Sequence, residues 1–108
     1  IDAPSGTAVR IGEILADTRS VDIKNVGTYG REGLVGKRTQ QEIGFSSIRG
    51  GDIVGDHTVF FIGEGERVEI THRAQSRVNF AQGAIRAARF LSDKKNGLYD
   101  MEHLLELS

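Results

Sequence analysis

The chain has 108 residues, enough to close one domain and too few for a second independent core, and its 38% hydrophobic and 27% charged content matches ordinary globular proteins rather than disordered ones. Fourteen Lys and Arg are interspersed with fifteen acids for a formal charge of −1, so no basic face is offered to a phosphate backbone and nucleic acid is discounted as a partner. Cysteine is absent, which excludes disulfides, thiolate catalysis and Cys-containing zinc sites and fits a reducing cytoplasm, and no apolar run is long enough to span a membrane.

The chain opens Ile1-Asp2-Ala3-Pro4, with neither an initiator Met nor the basic and apolar regions of a signal peptide, so it reads as part of something longer. Asp2-Ala3-Pro4-Ser5-Gly6-Thr7 is a turn cluster, after which Ala8, Ile11, Ile14 and Leu15 recur at helical spacing. A helix is predicted from Ser5 to Thr7 up to about Asp17. Between Arg19 and Gln41, Val26-Gly27-Thr28-Tyr29 is the best short strand and Gly30-Arg31-Glu32-Gly33 a loop. Ile43 to Ile48, Thr58 to Ile62 and Arg67 to His72 read as strands. Gly63-Glu64-Gly65 turns the second into the third as a hairpin, expected to have at least one further strand beside it, and Val68, Ile70 and His72 share one face. From Val78 the period becomes helical, with Ala81, Ala84, Ile85, Ala88 and Leu91 on one stripe. Asn96-Gly97 is the predicted stop, as a left-handed cap, and Leu98 to Leu107 a last amphipathic turn or short helix.

Helix, strands, helix without strict alternation predicts an α+β fold: a mixed, largely antiparallel sheet with helices packed on one face. Val59-Phe60-Phe61-Ile62 puts bulky apolar groups on both faces of one strand. The second face is therefore expected to be covered by another subunit.

Ser5-Gly6-Thr7 carries the sharpest local signal. The first N–H groups of a helix lack internal partners and lie at the positive end of its dipole, so they suit an anion; Gly6 lets a ligand approach and the two hydroxyls add donors. A plain N-cap by Asp2 or Ser5 explains the same residues. Gly30 to Lys37 is no P-loop, since Arg31 stands where a glycine is needed and Arg38 where Ser or Thr would hold magnesium. No G-x-G-x-x-G fingerprint follows a strand, so the chain has no dinucleotide-binding unit of its own. His57, His72 and His103 show no metal-ligand spacing and no assignable triad, and His72 is expected as a hydrogen-bonded core residue. Arg77 and Phe80 sit where the last strand meets the long helix. A cation and an aromatic one turn apart could grip a planar or phosphorylated ligand, but the residues by themselves favour an exposed Arg beside a core Phe.

Six blocks together are more specific than any of these. Asp2-Ala3-Pro4-Ser5-Gly6-Thr7-Ala8, Gly30-Arg31-Glu32-Gly33, Glu42-Ile43-Gly44-Phe45, Ile48 to Val59, Gly65 to His72 and Lys95-Asn96-Gly97-Leu98-Tyr99-Asp100-Met101 resemble, in order and spacing, the C-terminal half of bacterial dihydrodipicolinate reductases. The resemblance implies a two-domain enzyme of lysine and diaminopimelate synthesis. An N-terminal Rossmann domain, absent from this chain, would hold most of NADPH or NADH, and residues 1–108 would form the substrate-binding and tetramer-forming domain. Hydride passes to the ring of 4-hydroxy-tetrahydrodipicolinate as water is lost, giving tetrahydrodipicolinate. The family's turn holds a substrate carboxylate, which assigns Ser5, Gly6 and Thr7 as its donors. Arg77 and Phe80 match the S-R-x-x-F element that approaches the cofactor. The paired histidines and the lysine of the family lie just upstream of Ile1, so no catalytic residue is expected in this chain, nor any metal.

Three readings follow. The chain is part of an oxidoreductase, inactive alone; or an oligomerisation module without ligand binding; or an anion-binding regulatory domain.

Overall fold

A computed structural model describes residues 2–107. Its contacts fall into two compact units, Ile1–Gly51 and Asp52–Ser108. The α+β composition is as expected, but the single mixed sheet is not: among the described residues the strands form two two-stranded sheets, one parallel and one an antiparallel hairpin with which no further strand pairs.

In the first unit, Ser5 caps helix α1 (Gly6–Thr18). The helix ends after Thr18 because Ser20 turns left-handed at φ 56°, which lets Ser20 N–H donate to the Asp17 carbonyl and Val21 N–H to the Ala16 carbonyl, each at 3.0 Å. These two bonds satisfy carbonyls that the helix itself leaves open. A four-residue helix α2 (Ile23–Val26), absent from the sequence reading, starts at Asp22, whose Oδ1 accepts from Lys24 N–H at 2.9 Å. Strand β1 (Gly27–Thr28) then pairs in parallel with β2 (Ile43–Gly44). The strand predicted over Ile43 to Ile48 is thus confined to its first two residues, although Phe45 N–H still donates to the Thr28 carbonyl at 2.7 Å. Phe45 stacks on Tyr29 with ring centroids 4.7 Å apart, and its ring tip meets buried Gly12 of α1, where a Cβ would lie 2.3 Å from it. Gly12 therefore gives the ring its seat, and Ala16 is buried one turn on. Arg31 and Glu42 form an ion pair that ties the glycine-rich segment to the start of β2.

The second unit opens on an antiparallel hairpin, β3 (Gly55–Ile62) and β4 (Arg67–Ala74), with Val59 opposite Ile70 and His57 opposite His72. Gly65 takes φ 70° in the turn, a region open to glycine. Strand alternation separates two faces. One carries the pairs His57/His72, Val59/Ile70 and Phe61/Val68; the other carries Asp56/Arg73, Thr58/Thr71, Phe60/Glu69 and Ile62/Arg67. Polar contacts knit the second face, including an Asp56–Arg73 ion pair at 3.5 Å and a Thr58–Thr71 hydroxyl bond at 3.0 Å. His72 shares a face with Val68 and Ile70 as predicted, but it is exposed rather than in a core, because every residue of β4 before Ala74 is exposed.

Helix α3 (Val78–Ser92) stops earlier than predicted. Lys94 N–H donates to the Leu91 carbonyl at 3.0 Å and Asp93 is the cap residue, so the helix has already ended before Asn96-Gly97. Its half-buried line is Gly83, Ala87 and Phe90, not the predicted stripe through Ile85 and Leu91. Phe90 turns to Tyr99 in an edge-on contact with centroids 5.9 Å apart, and that contact decides which side of α3 is sheltered. Helix α4 (Met101–Leu105) buries Leu104 and begins in a capping box: Asp100 Oδ1 accepts from His103 N–H at 3.2 Å, and Asp100 N–H lies 3.1 Å from His103 Nδ1. No helix among the described residues is long and apolar enough to cross a membrane.

Candidate functional site

The turn at the start of α1 is built by a proline, a cap and a glycine. Pro4 fixes its own φ, and Ser5 follows in an extended conformation (φ −66°, ψ 159°) that brings its side chain over the helix end. Ser5 Oγ accepts from Ala8 N–H at 3.3 Å, and the Ser5 carbonyl accepts from Val9 N–H at 3.0 Å. The N–H groups of Gly6 and Thr7 come before the helical ladder and have no acceptor within it. No acid stands in the first turn to neutralise the positive end of the dipole. Beside Gly6 the space is open, with nothing within 4 Å of where a Cβ would be, and both Gly6 and Thr7 are exposed. The cap and the anion reading are therefore compatible: Ser5 Oγ accepts from Ala8 N–H, while the first-turn residues Gly6 and Thr7 remain exposed.

Arg49, a residue of the Ile48 to Val59 block to which the sequence reading gave no role, also reaches this turn. Its Nη2 donates to the carbonyl of Asp2, and its Nη1 lies 3.4 Å from the carbonyl of Ile48. A guanidinium bonded to a main-chain oxygen from 47 residues away leaves no trace in a linear pattern.

In the second unit, Arg77 is the N-cap residue of α3 and makes no side-chain capping bond; Ser76 Oγ instead accepts from Val78 N–H at 3.3 Å. Phe80, 54% exposed, comes three residues later. Both residues are exposed, so Phe80 is not in a core. A shallow polar concavity lies at the same junction, lined by His72, Arg73, Gln75, Ser76 and Asn79. The structure thus brings Ser5, Gly6 and Thr7 together at one helix start and Arg77 with Phe80 at another, each within its own unit.

A family model described as dihydrodipicolinate reductase, C-terminus, matches residues 1–105. Among curated proteins, the 4-hydroxy-tetrahydrodipicolinate reductase of Chromobacterium violaceum is 60% identical over 107 residues, covering 99% of this chain and 40% of the relative. The proteins of that name from Cupriavidus necator and Nitrosomonas eutropha are 57% and 60% identical with the same coverage. The chain spans about 40% of the length of these relatives. A match over nearly the whole chain, together with the glycine-opened helix start, leaves one assignment: the chain belongs to the family of the C-terminal region of dihydrodipicolinate reductase.

Proposed function

We propose that the chain is the substrate-binding and assembly part of a reductase that converts 4-hydroxy-tetrahydrodipicolinate to tetrahydrodipicolinate in lysine and diaminopimelate synthesis in the cytoplasm. The observation that carries the reading is the open start of α1. Gly6 and Thr7 present two main-chain donors and a hydroxyl, no acid competes, and no side chain fills the space beside Gly6. A ring carboxylate placed there accepts from Gly6 N–H, Thr7 N–H and the Thr7 hydroxyl. Charge-assisted bonds of this kind hold a carboxylate in one orientation and so fix the ring that carries it. NADPH or NADH, held mainly by a domain outside this chain, supplies the hydride that replaces the hydroxyl lost as water. Arg77 and Phe80 are the residues here that would meet that cofactor, the first as a cation and the second as an aromatic face. Neither substitutes for a dinucleotide-binding unit, so the 108-residue chain is expected to show no reductase turnover.

The apolar hairpin face supports the second part of the proposal, a homotetramer assembled through the sheet. Titrating the chain with pyridine-2,6-dicarboxylate separates the readings. Saturable binding that is weakened by Thr7→Val supports a substrate site. Intact assembly without binding would leave only an oligomerisation module.

A further inference from the structure

We propose that Arg49 is a positioning residue for the carboxylate-binding turn, an inference that rests on the substrate-site reading of Ser5, Gly6 and Thr7. The donors of Gly6 and Thr7 point where α1 points, but the stretch that leads into them, Asp2-Ala3-Pro4, has no regular structure of its own to hold it. A hydrogen bond from Arg49 Nη2 to the Asp2 carbonyl ties it to a residue 47 positions away. The second contact of the guanidinium, Nη1 at 3.4 Å from the Ile48 carbonyl, braces it against its own segment. Arg49 therefore links the entrance of the turn to the chain that follows β2. A planar fork can serve two acceptors at once, which a lysine ammonium on a flexible stem does with less constraint.

The charge on Arg49 has a second consequence. Among the described residues no carboxylate is paired with it, since both of its partners are main-chain carbonyls. A cation thus stands at the entrance of the turn, bonded to a residue whose own side chain is an acid, Asp2. An incoming dianion gains from that cation as well as from the preset geometry, whereas a neutral ligand of the same shape gains only from the geometry.

The test uses the full-length reductase that carries this sequence, with Arg49→Gln, Arg49→Lys and Thr7→Val prepared in parallel. Arg49→Gln is expected to raise the Kd for pyridine-2,6-dicarboxylate and the KM for substrate about tenfold, with kcat and the cofactor KM within about twofold of wild type. Arg49→Lys, which keeps the charge, is expected to recover part of that loss. Dicarboxylate binding unchanged in Arg49→Gln but weakened in Thr7→Val would overturn the role of Arg49 and leave the turn's assignment standing. Binding unchanged in both would remove the substrate-site reading itself. An equal loss in cofactor affinity, or an Arg49→Lys protein no better than Arg49→Gln, would mark a general structural role and overturn the proposal. Should Arg49→Gln not accumulate as folded protein, Arg49→Lys against wild type decides: equal affinity at an unchanged melting midpoint overturns it, and a loss of about threefold supports it.

Discussion

At the scale of single residues, the glycines of α1 separate folding from binding. Gly12 is buried against the tip of Phe45, whose ring is held from the side by Tyr29. A methyl group there has to displace that ring. Gly12→Ala is expected to lower stability by about 1–2 kcal/mol, the better helix propensity of alanine offsetting part of the overpacking. Gly6→Ala adds a methyl group to open space and costs the fold nothing by contact. Thermal melts of the two variants should therefore move apart, with Gly12→Ala lower and Gly6→Ala near wild type. Dicarboxylate binding should rank them the other way, because the Gly6 methyl group occupies the approach to the donors. Thr7→Val in the full-length enzyme removes one hydroxyl donor and is expected to weaken substrate binding by about 1.5–3 kcal/mol, with cofactor binding unchanged. A wild-type KM in that variant would contradict the carboxylate assignment. Ser5 was legible as the cap of α1 because a cap, a glycine and an apolar helical period follow one another in the sequence, whereas the carboxylate role proposed for the turn came with the family resemblance. Arg49 stood in one of the family blocks, but its contact was not legible, because its partner is a main-chain carbonyl and a carbonyl has no side-chain signature.

At the scale of elements, legibility followed the source of the local signal. α1 and the β3–β4 hairpin match their predicted places, since a cap-and-period pattern and a glycine turn between alternating runs are encoded within each segment. The end of α3 was misplaced because Asn96-Gly97 looks like a cap, whereas the stop is set by where the chain leaves to bring Tyr99 back to Phe90. For α4 the capping box makes a pH prediction. The His103 N–H bonded to the Asp100 carboxylate, with a further contribution from the His103 ring, holds that carboxyl below its ordinary pKa. A depressed carboxylate stabilises the folded form above the pKa it has when unfolded, and the contribution is lost as pH falls through the lower, folded value. α4 is thus expected to keep its cap from neutral pH down to the ordinary carboxylate range and to fray only below it. The His103 amide, followed by NMR through an acid titration, should shift with the Asp100 carboxyl, and Asp100→Ala should abolish that shift. A His103 amide that titrates at the ordinary value would mean that the cap is not formed in solution.

At the scale of the whole molecule, the burial pattern is what sets the expectation. Among the described residues the buried hydrophobics are Ala16, Ala74 and Leu104, a small set for a chain whose composition is 38% hydrophobic. Phe61, Val68 and Ile70 share one hairpin face and are 45%, 61% and 60% exposed. Covering each such side chain contributes about 1.5–3 kcal/mol, so the face favours association once a self-complementary surface is available. The opposite face also exposes Phe60 and Ile62, at 52% and 73%, but sets them opposite Glu69 and Arg67 on the face that carries the Asp56–Arg73 pair and the threonine bond. In the proposed homotetramer, closed symmetry would bring identical apolar faces together and leave no sticky surface to propagate. The prediction is that the 108-residue chain sediments as a tetramer at micromolar concentration and that its melting midpoint rises with protein concentration, because folding and assembly share the same buried area. Val68→Asp and Ile70→Asp place charges on that face and should dissociate the assembly, while Glu69→Lys, on the opposite face of the same strand, should not. A monomer mass near 11.8 kDa with a concentration-independent melt would show that the hairpin face is satisfied without a second copy, and the assembly role of this chain would have to be given up.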